Sequence, residues 1–277
     1  MNSLQLASVH LRVSHLARSV EFYTRLLGFV VVHSTPARAE LAAAPAGPAL
    51  LVLSGDPAAP PAPRDAAGLF HAALLLPSRA ALGAWLKHAA KSGVEFDGFS
   101  DHGVSEAIYF SDPDGNGLEF YADRPRGSWH TDANGELAMN TEPLDVQSLL
   151  DAALPPSLPL LADATSAVSA PAVARWGHLH LRVTDLDRSD AFYRATLGMV
   201  VTQSSLPGAR FLAADGYHHH LGLNIWGRPR VPRPPAALGL VEATFARTGL
   251  IAAQHLADPD GIALHVVPST APSSRLA

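Results

Sequence analysis

The sequence predicts an α+β fold of four βαβββ modules, arranged as two tandem halves whose strands form curved mixed sheets. Three observations predict it. A long internal repeat divides the chain; its segments alternate between the two-residue period of strands and the 3.6-residue period of helices; and one turn tetrapeptide, Asp-Pro-Asp-Gly, closes each half.

His10-Leu-Arg-Val-Ser-His-Leu-Ala-Arg-Ser-Val-Glu-Phe-Tyr returns as His180-Leu-Arg-Val-Thr-Asp-Leu-Asp-Arg-Ser-Asp-Ala-Phe-Tyr, and 13 of 23 positions agree between 10–32 and 180–202. Each copy opens with alternating apolar residues, the pattern of a half-buried strand. A helix follows, with Leu16, Val20, Tyr23 and Leu27 on one face. Gly28, or Gly198 in the second copy, ends it, because glycine readily takes the left-handed conformation of a C-terminal stop. β-rich runs at 29–33 and 49–53 continue the first module. The second begins with a strand at 70–77. Ser78 then caps a helix reaching about Lys91 and stopped by Gly93. Strands around 95–99, 107–110 and 118–121 complete it, the last two joined by Asp112-Pro-Asp-Gly. The matching turn at Asp258 lies 146 residues later rather than 170, so the second half lacks 24 residues. The deficit falls mainly on the helix of the fourth module, which is therefore shortened. The domain organisation is a first half at 1–125, a Pro-, Ser- and Ala-rich linker at 126–174 with one short helical pattern at 144–154, and a shortened second half at 175–277.

Composition excludes several functions. Apolar residues make up 48% and charged residues 16%, which suits a globular core rather than a disordered chain. A net charge of −5 argues against a nucleic-acid footprint, which needs a basic face. No apolar run approaches the roughly 20 residues that span a bilayer, and nothing near Met1 resembles a signal peptide, so the expected compartment is the cytoplasm. The absence of cysteine leaves His, Asp and Glu to hold any metal. Self-association as a homo-oligomer through sheet edges or helices is compatible with such a fold, but no residue compels it.

Strand-starting histidines are the first candidates for chemistry: His10, His71, His178 and His180. His178 and His180 are two apart and should share a sheet face. Glu119 sits in the apolar run Leu118-Glu-Phe-Tyr, where a buried carboxylate is costly unless paired or bound to metal; the bland alternative is an outward-facing position. Two histidines and a carboxylate from separate strands suit non-haem Fe(II), although Mn(II), Zn(II) or Ni(II) accept the same ligands.

Two segments carry a family resemblance. Val9-His-Leu-Arg-Val with Arg18-Ser-Val-Glu-Phe-Tyr and Leu27-Gly-Phe, and Asp112-Pro-Asp-Gly-Asn-Gly-Leu-Glu-Phe-Tyr, resemble the vicinal oxygen chelate superfamily. It holds glyoxalases, fosfomycin and bleomycin resistance proteins, and extradiol ring-cleaving dioxygenases. Phe70-His-Ala-Ala-Leu-Leu-Leu-Pro, His102-Gly-Val-Ser-Glu-Ala and Gly216-Tyr-His-His-His-Leu-Gly-Leu extend the likeness to the two-half bacterial catechol-2,3-dioxygenase type. The resemblance implies a metal cleft in which His71, Glu119 and His178 hold Fe(II), with a catecholic substrate and O2 as reactants. It also implies a second-sphere role for His102, an active-site role for Tyr109, and acid–base work for His219, with His218 and His220 leaving the register open by one.

These residues come from modules two and three, so the set is complete only if those modules share a barrel. One alternative gathers His10, His71 and Glu119 within the first half, since Ser8 stands where a metal histidine would be expected. The other gathers His178, Glu242 and His265 within the second. Two further functions fit the same scaffold: a glyoxalase-like lyase or isomerase, and a non-catalytic binding protein of the bleomycin-resistance type.

Overall fold

Four successive modules place strands in two sheets, and the computed structural model describes them over residues 3–153 and 174–269. Module one comprises β1 (Leu4–Val13), α1 (Leu16–Leu27), β2 (Val30–Ser34), β3 (Arg38–Ala42) and β4 (Ala49–Gly55). Module two comprises β5 (Gly68–Leu75), α2 (Arg79–Lys91), β6 (Phe96–Asp101), β7 (Ser105–Ser111) and β8 (Gly117–Asp123). Between the halves lie the two-residue strand β9 (Glu142–Pro143) and the short helix α3 (Val146–Asp151). Module three comprises β10 (Arg175–Arg182), α4 (Leu186–Leu197), β11 (Val200–Gln203), β12 (Ala209–Ala213) and β13 (Leu221–Asn224). Module four has β14 (Gly239–Arg247), β15 (Gln254–Ala257) and β16 (Ala263–Pro268). It lacks a helix, as its length required, and also the strand that would precede β15. Residues 154–173 of the 126–174 linker lie outside the described residues. None of the described helices is long and apolar enough to cross a membrane.

The helix signals act as read. Gly28 and Gly198 end α1 and α4 with φ of 68° and 70°, and Ser78 Oγ accepts from the Ala81 N–H to cap α2. Strand β3 was not apparent from its sequence, Arg-Ala-Glu-Leu-Ala, whose alanines and charges carry little strand propensity. It forms because it pairs with both β2 and β4.

The sheets do not follow the halves. Modules one and four form a seven-stranded sheet, ordered β15-β16-β14-β1-β4-β3-β2. Modules two and three form a nine-stranded sheet, ordered β11-β12-β13-β10-β5-β8-β7-β6-β9. One apolar core joins them, including Leu6, Val9 and Leu11 of β1, Phe120 of β8, Leu179 of β10 and Trp85 of α2. Buried Trp176 of β10 donates to the Leu50 carbonyl of β4, 2.5 Å away, tying one sheet to the other. Within each half the Asp-Pro-Asp-Gly turn docks on the start of the preceding module's helix. Asp114 accepts from the Ser14 N–H and pairs with Arg18, and Asp260 does the same with Thr184 and Arg188. Tyr23 and Tyr193 donate to Asp112 and Asp258 at 3.0 Å, so the repeat extends to its buried polar contacts.

Candidate metal centre and its surroundings

Strand alternation builds the site. In β8, Leu118, Phe120 and Ala122 enter the shared core, which turns Glu119, Tyr121 and Asp123 to the other face of the nine-stranded sheet. In β7 the same alternation sends Ile108 and Phe110 to the core and Tyr109 to the far face. Strands β5 and β10 need a correction to simple alternation. Their antiparallel register slips between Trp176 and His178, and again beside Phe70. The first bulge lets Trp176 face the core while His178, two residues on, faces the other way. Leu69 and His71 are separated in the same manner. Gly177 suits the first bulge because a β-carbon there would fall 1.7 Å from the Tyr121 hydroxyl.

Three neighbouring strands, β10, β5 and β8, thus deliver His178, His71 and Glu119 to one point. One ligand atom from each lies within 4.8 Å of the others, the only such His, Cys, Asp or Glu group among the described residues. Glu119 Oε2 is 2.9 Å from His71 Nε2 and 3.1 Å from His178 Nε2. All three side chains are buried. The outward-facing alternative for Glu119 is therefore excluded, since the residue is 2% exposed.

The donor set fits a metal. Two ligands about 2.1 Å from one ion at right angles stand roughly 3 Å apart. His71 Nε2 has that spacing to the carboxylate without the alignment of a hydrogen bond, and has no other partner. Burial alone would raise the Glu119 carboxyl, but the attraction of His178 and His71 overrides it and holds the group well below the usual carboxylate range. Burial, against the pull of Glu119, drives His178 down to about 4, so its ring is neutral at pH 7. A carboxylate and a neutral imidazole are the forms that ligate.

The group lines a cavity of about 250 Å3. Phe70, Phe211, Trp226 and Leu206 give it apolar and aromatic walls. His180 also lines it, with Nε2 buried and unpartnered, and burial pushes its ring well below the ordinary histidine value. His102 and Tyr109 lie together on another wall, His102 Nε2 and the Tyr109 hydroxyl 2.7 Å apart. The other ring nitrogen of His102 meets the Asn140 carbonyl at 2.6 Å, so Nδ1 donates and the neutral ring accepts the Tyr109 proton at Nε2. Burial, with the nearby Glu119 carboxylate, raises the Tyr109 phenol well above its ordinary value, which keeps it a donor.

All four residues of the cluster Tyr217–His220 are buried. His219 alone of its three histidines lines the cavity, its ring centroid 4.0 Å from that of His178. His218 lies behind it, and His220 Nδ1 accepts from the Ala214 N–H.

Both alternative ligand sets are overturned by the sheet assignment. His10 lies in the seven-stranded sheet, opposite Glu242 of β14 and 3.1 Å from Ser54 Oγ. His265 of β16 stacks on His255 in that same sheet, with ring centroids 4.1 Å apart. Neither group can join His71 and Glu119 or His178 in the other sheet.

Sequence reasoning missed the strap at 137–143. It spans the two edges of the nine-stranded sheet: the Leu137 N–H donates to the Thr202 carbonyl of β11, and β9 pairs with β6. Between these ends Met139, Asn140 and Thr141 line the cavity. Its composition reads as linker, and no period or motif marks it as a wall.

The fold is a vicinal-oxygen-chelate scaffold, and its convergent His, Glu, His group is a candidate metal site. Residues 5–120 and 175–258 match the Glyoxalase/Bleomycin resistance protein/Dioxygenase superfamily, and the chain belongs to it. It is 42% identical over 233 residues to the catechol-2,3-dioxygenase of Bacillus subtilis (strain 168), covering 83% of this chain and 78% of that protein. Among solved structures, a Bacillus subtilis protein assigned provisionally to the dioxygenases aligns with a TM-score of 0.63 and 10% identity, over 96% of this chain and 86% of its own. Glyoxalase I from Zea mays aligns with a TM-score of 0.57 and 16% identity, over 96% and 93%. At those identities the two structures speak for the fold alone.

Proposed function

We propose that this chain is an extradiol-type dioxygenase that opens a catecholic ring with O2, using Fe(II) held by His71, Glu119 and His178. The observation that carries the proposal is the convergence of those three buried ligands in a cavity that also presents His219 and the His102–Tyr109 pair. The 42% identity to a catechol-2,3-dioxygenase points the same way. The first half at 1–125, the linker at 126–174 and the second half at 175–277 are proposed as units of descent, each half giving one module to the catalytic sheet.

When bound, the metal would supply Lewis acidity and a shared coordination sphere for a diol and O2. The chain does the remainder. Phe70, Phe211 and Trp226 offer faces and edges that a planar ring can stack on, and they exclude water from it. His219, kept neutral chiefly by burial, takes a proton released by the diol and returns it later in the cycle. Tyr109, a phenol at every working pH, has one proton to give: it rests on His102 Nε2, which holds the hydroxyl in place, and turns from there to a substrate oxygen as charge develops on it. His102 is itself anchored by the strap through the Asn140 carbonyl. The carbonyl therefore connects closure of the cavity to orientation of the donor pair.

The test is His71→Ala, assayed for bound iron and for O2 uptake with catechol. Loss of both with an unchanged far-ultraviolet circular dichroism spectrum is expected. Full activity in this variant would rule the site out.

A further inference from the structure

The hydrogen bonds behind His219 form a chain that the cavity alone does not explain. His218 Nδ1 and His219 Nδ1 are 2.7 Å apart. His218 Nε2 is 2.9 Å from Asp123 Oδ1, and the Tyr217 hydroxyl donates to the same oxygen at 3.1 Å. Asp123 follows Glu119 and Tyr121 on the far face of β8, and its carboxylate is 27% exposed while His218 is fully buried.

Proton bookkeeping along this line has one solution for neutral rings. A carboxylate only accepts, so the His218 proton sits on Nε2. Nδ1 of His218 is then an acceptor, and the hydrogen bond between the rings requires His219 to donate from its own Nδ1. That leaves His219 Nε2 with a lone pair. No protein group is paired with this nitrogen among the described residues, and His219 lines the cavity. A free histidine side chain prefers its proton on Nε2, so the chain has to impose the opposite tautomer.

We propose that Asp123 and His218 are positioning residues that lock His219 in its Nδ1–H tautomer, aiming a base lone pair into the cavity. The arrangement parallels the carboxylate that fixes a catalytic histidine's tautomer in hydrolase triads, with a second imidazole interposed. The proposal rests on the reading of His219 as the acid–base group, but its geometry can be tested without that reading. Tyr121 and Tyr217 complete the support. Because Tyr217 donates to Asp123, Tyr121 donates to Tyr217 across 2.6 Å, and Asp123 is held from two sides.

The experiment is proton–nitrogen correlation spectroscopy of the full-length, metal-free chain labelled with 15N-histidine, alongside kcat and KM for catechol. In the wild type, His219 should show Nδ1 in the N–H range and Nε2 in the lone-pair range, and His218 the reverse. His218→Phe removes the acceptor and should shift His219 toward Nε2–H, with kcat lower by on the order of 10- to 100-fold and KM little changed. His218→Gln supplies a carbonyl to His219 and an amide N–H to Asp123, and should restore both the tautomer and most of kcat. Asp123→Ala, on a partly exposed side chain, removes the acceptor of the His218 Nε2 proton and gives the same spectral shift as His218→Phe should the latter fold poorly. A wild-type His219 protonated at Nε2, or a tautomer unmoved in both His218→Phe and Asp123→Ala, would overturn the proposal. The predicted tautomers in a chain that consumes no O2 with catechol would uphold it and defeat the dioxygenase reading instead.

Discussion

Gly177→Ala probes how His178, the proposed metal ligand of β10, is aimed. A β-carbon at 177 would lie 1.7 Å from the Tyr121 hydroxyl and 2.6 Å from its Cζ, so one of them must move. Tyr121 has little freedom: it is fully buried, hydrogen-bonded to Tyr217, and its ring centroid is 5.0 Å from that of His178. Overpacking of this kind costs about 1–3 kcal/mol, and loss of the tyrosine pair adds about 1 kcal/mol. A total of about 3 kcal/mol lowers Tm by roughly 6–12 °C in a chain of this size. Because the bulge at 177 separates Trp176 from His178, the same change should weaken metal binding by about 10- to 100-fold. Differential scanning calorimetry and metal titration of the apo chain measure the two effects. Gly127→Ala is the control, since a β-carbon there meets nothing within 4 Å; it should stay within about 0.5 kcal/mol of wild type. If Gly177→Ala keeps the wild-type Tm and metal affinity, the account of the bulge is wrong.

Two further outcomes are expected. Burial lowers His10 to about 4 and His220 to about 3 in the folded chain, so the unfolded chain binds more protons as pH falls below 6.5. Stability is therefore full above that value and declines toward pH 4, by up to about 2 kcal/mol for His220 between pH 7 and 5 and less for the partly exposed His10. Guanidinium titrations at the two pH values measure this; a pH-independent midpoint, or an identical decline in His220→Gln, would contradict it. Glu136→Ala removes the carboxylate that accepts from the Ser204 N–H and Oγ, both at 2.7 Å, beside the strap. With about 1 kcal/mol of anchoring lost, KM for catechol should rise about fivefold while bound metal is unchanged; an unaltered KM would show that the strap does not shape the cavity.

Much of this architecture is legible from residue patterns, and the gaps have physical causes. The repeat at His10 and His180, the glycine stops and the Asp-Pro-Asp-Gly turns are local signals, and the elements follow them closely. The pairing of modules two and three is not local. It depends on β5 and β10 meeting across more than 100 residues, which no sequence period encodes. Alternation alone would also have put Trp176 and His178 on one face, because a bulge leaves only a glycine as its trace. The triple histidine at 218–220 marks a region without assigning roles, since the three rings point to Asp123, the cavity and the Ala214 N–H. The strap and Asp123 were missed because their work is done largely by backbone carbonyls and by a carboxylate at the end of an ordinary strand.

The most direct measurement is elemental analysis of anaerobically purified protein, followed by O2 uptake on adding catechol. The account predicts close to one iron per chain, O2 consumption and a yellow ring-fission product, all abolished in Glu119→Gln. Iron-loaded protein that consumes no O2 with any catecholic substrate, or a Glu119→Gln variant that retains metal and turnover, would contradict it.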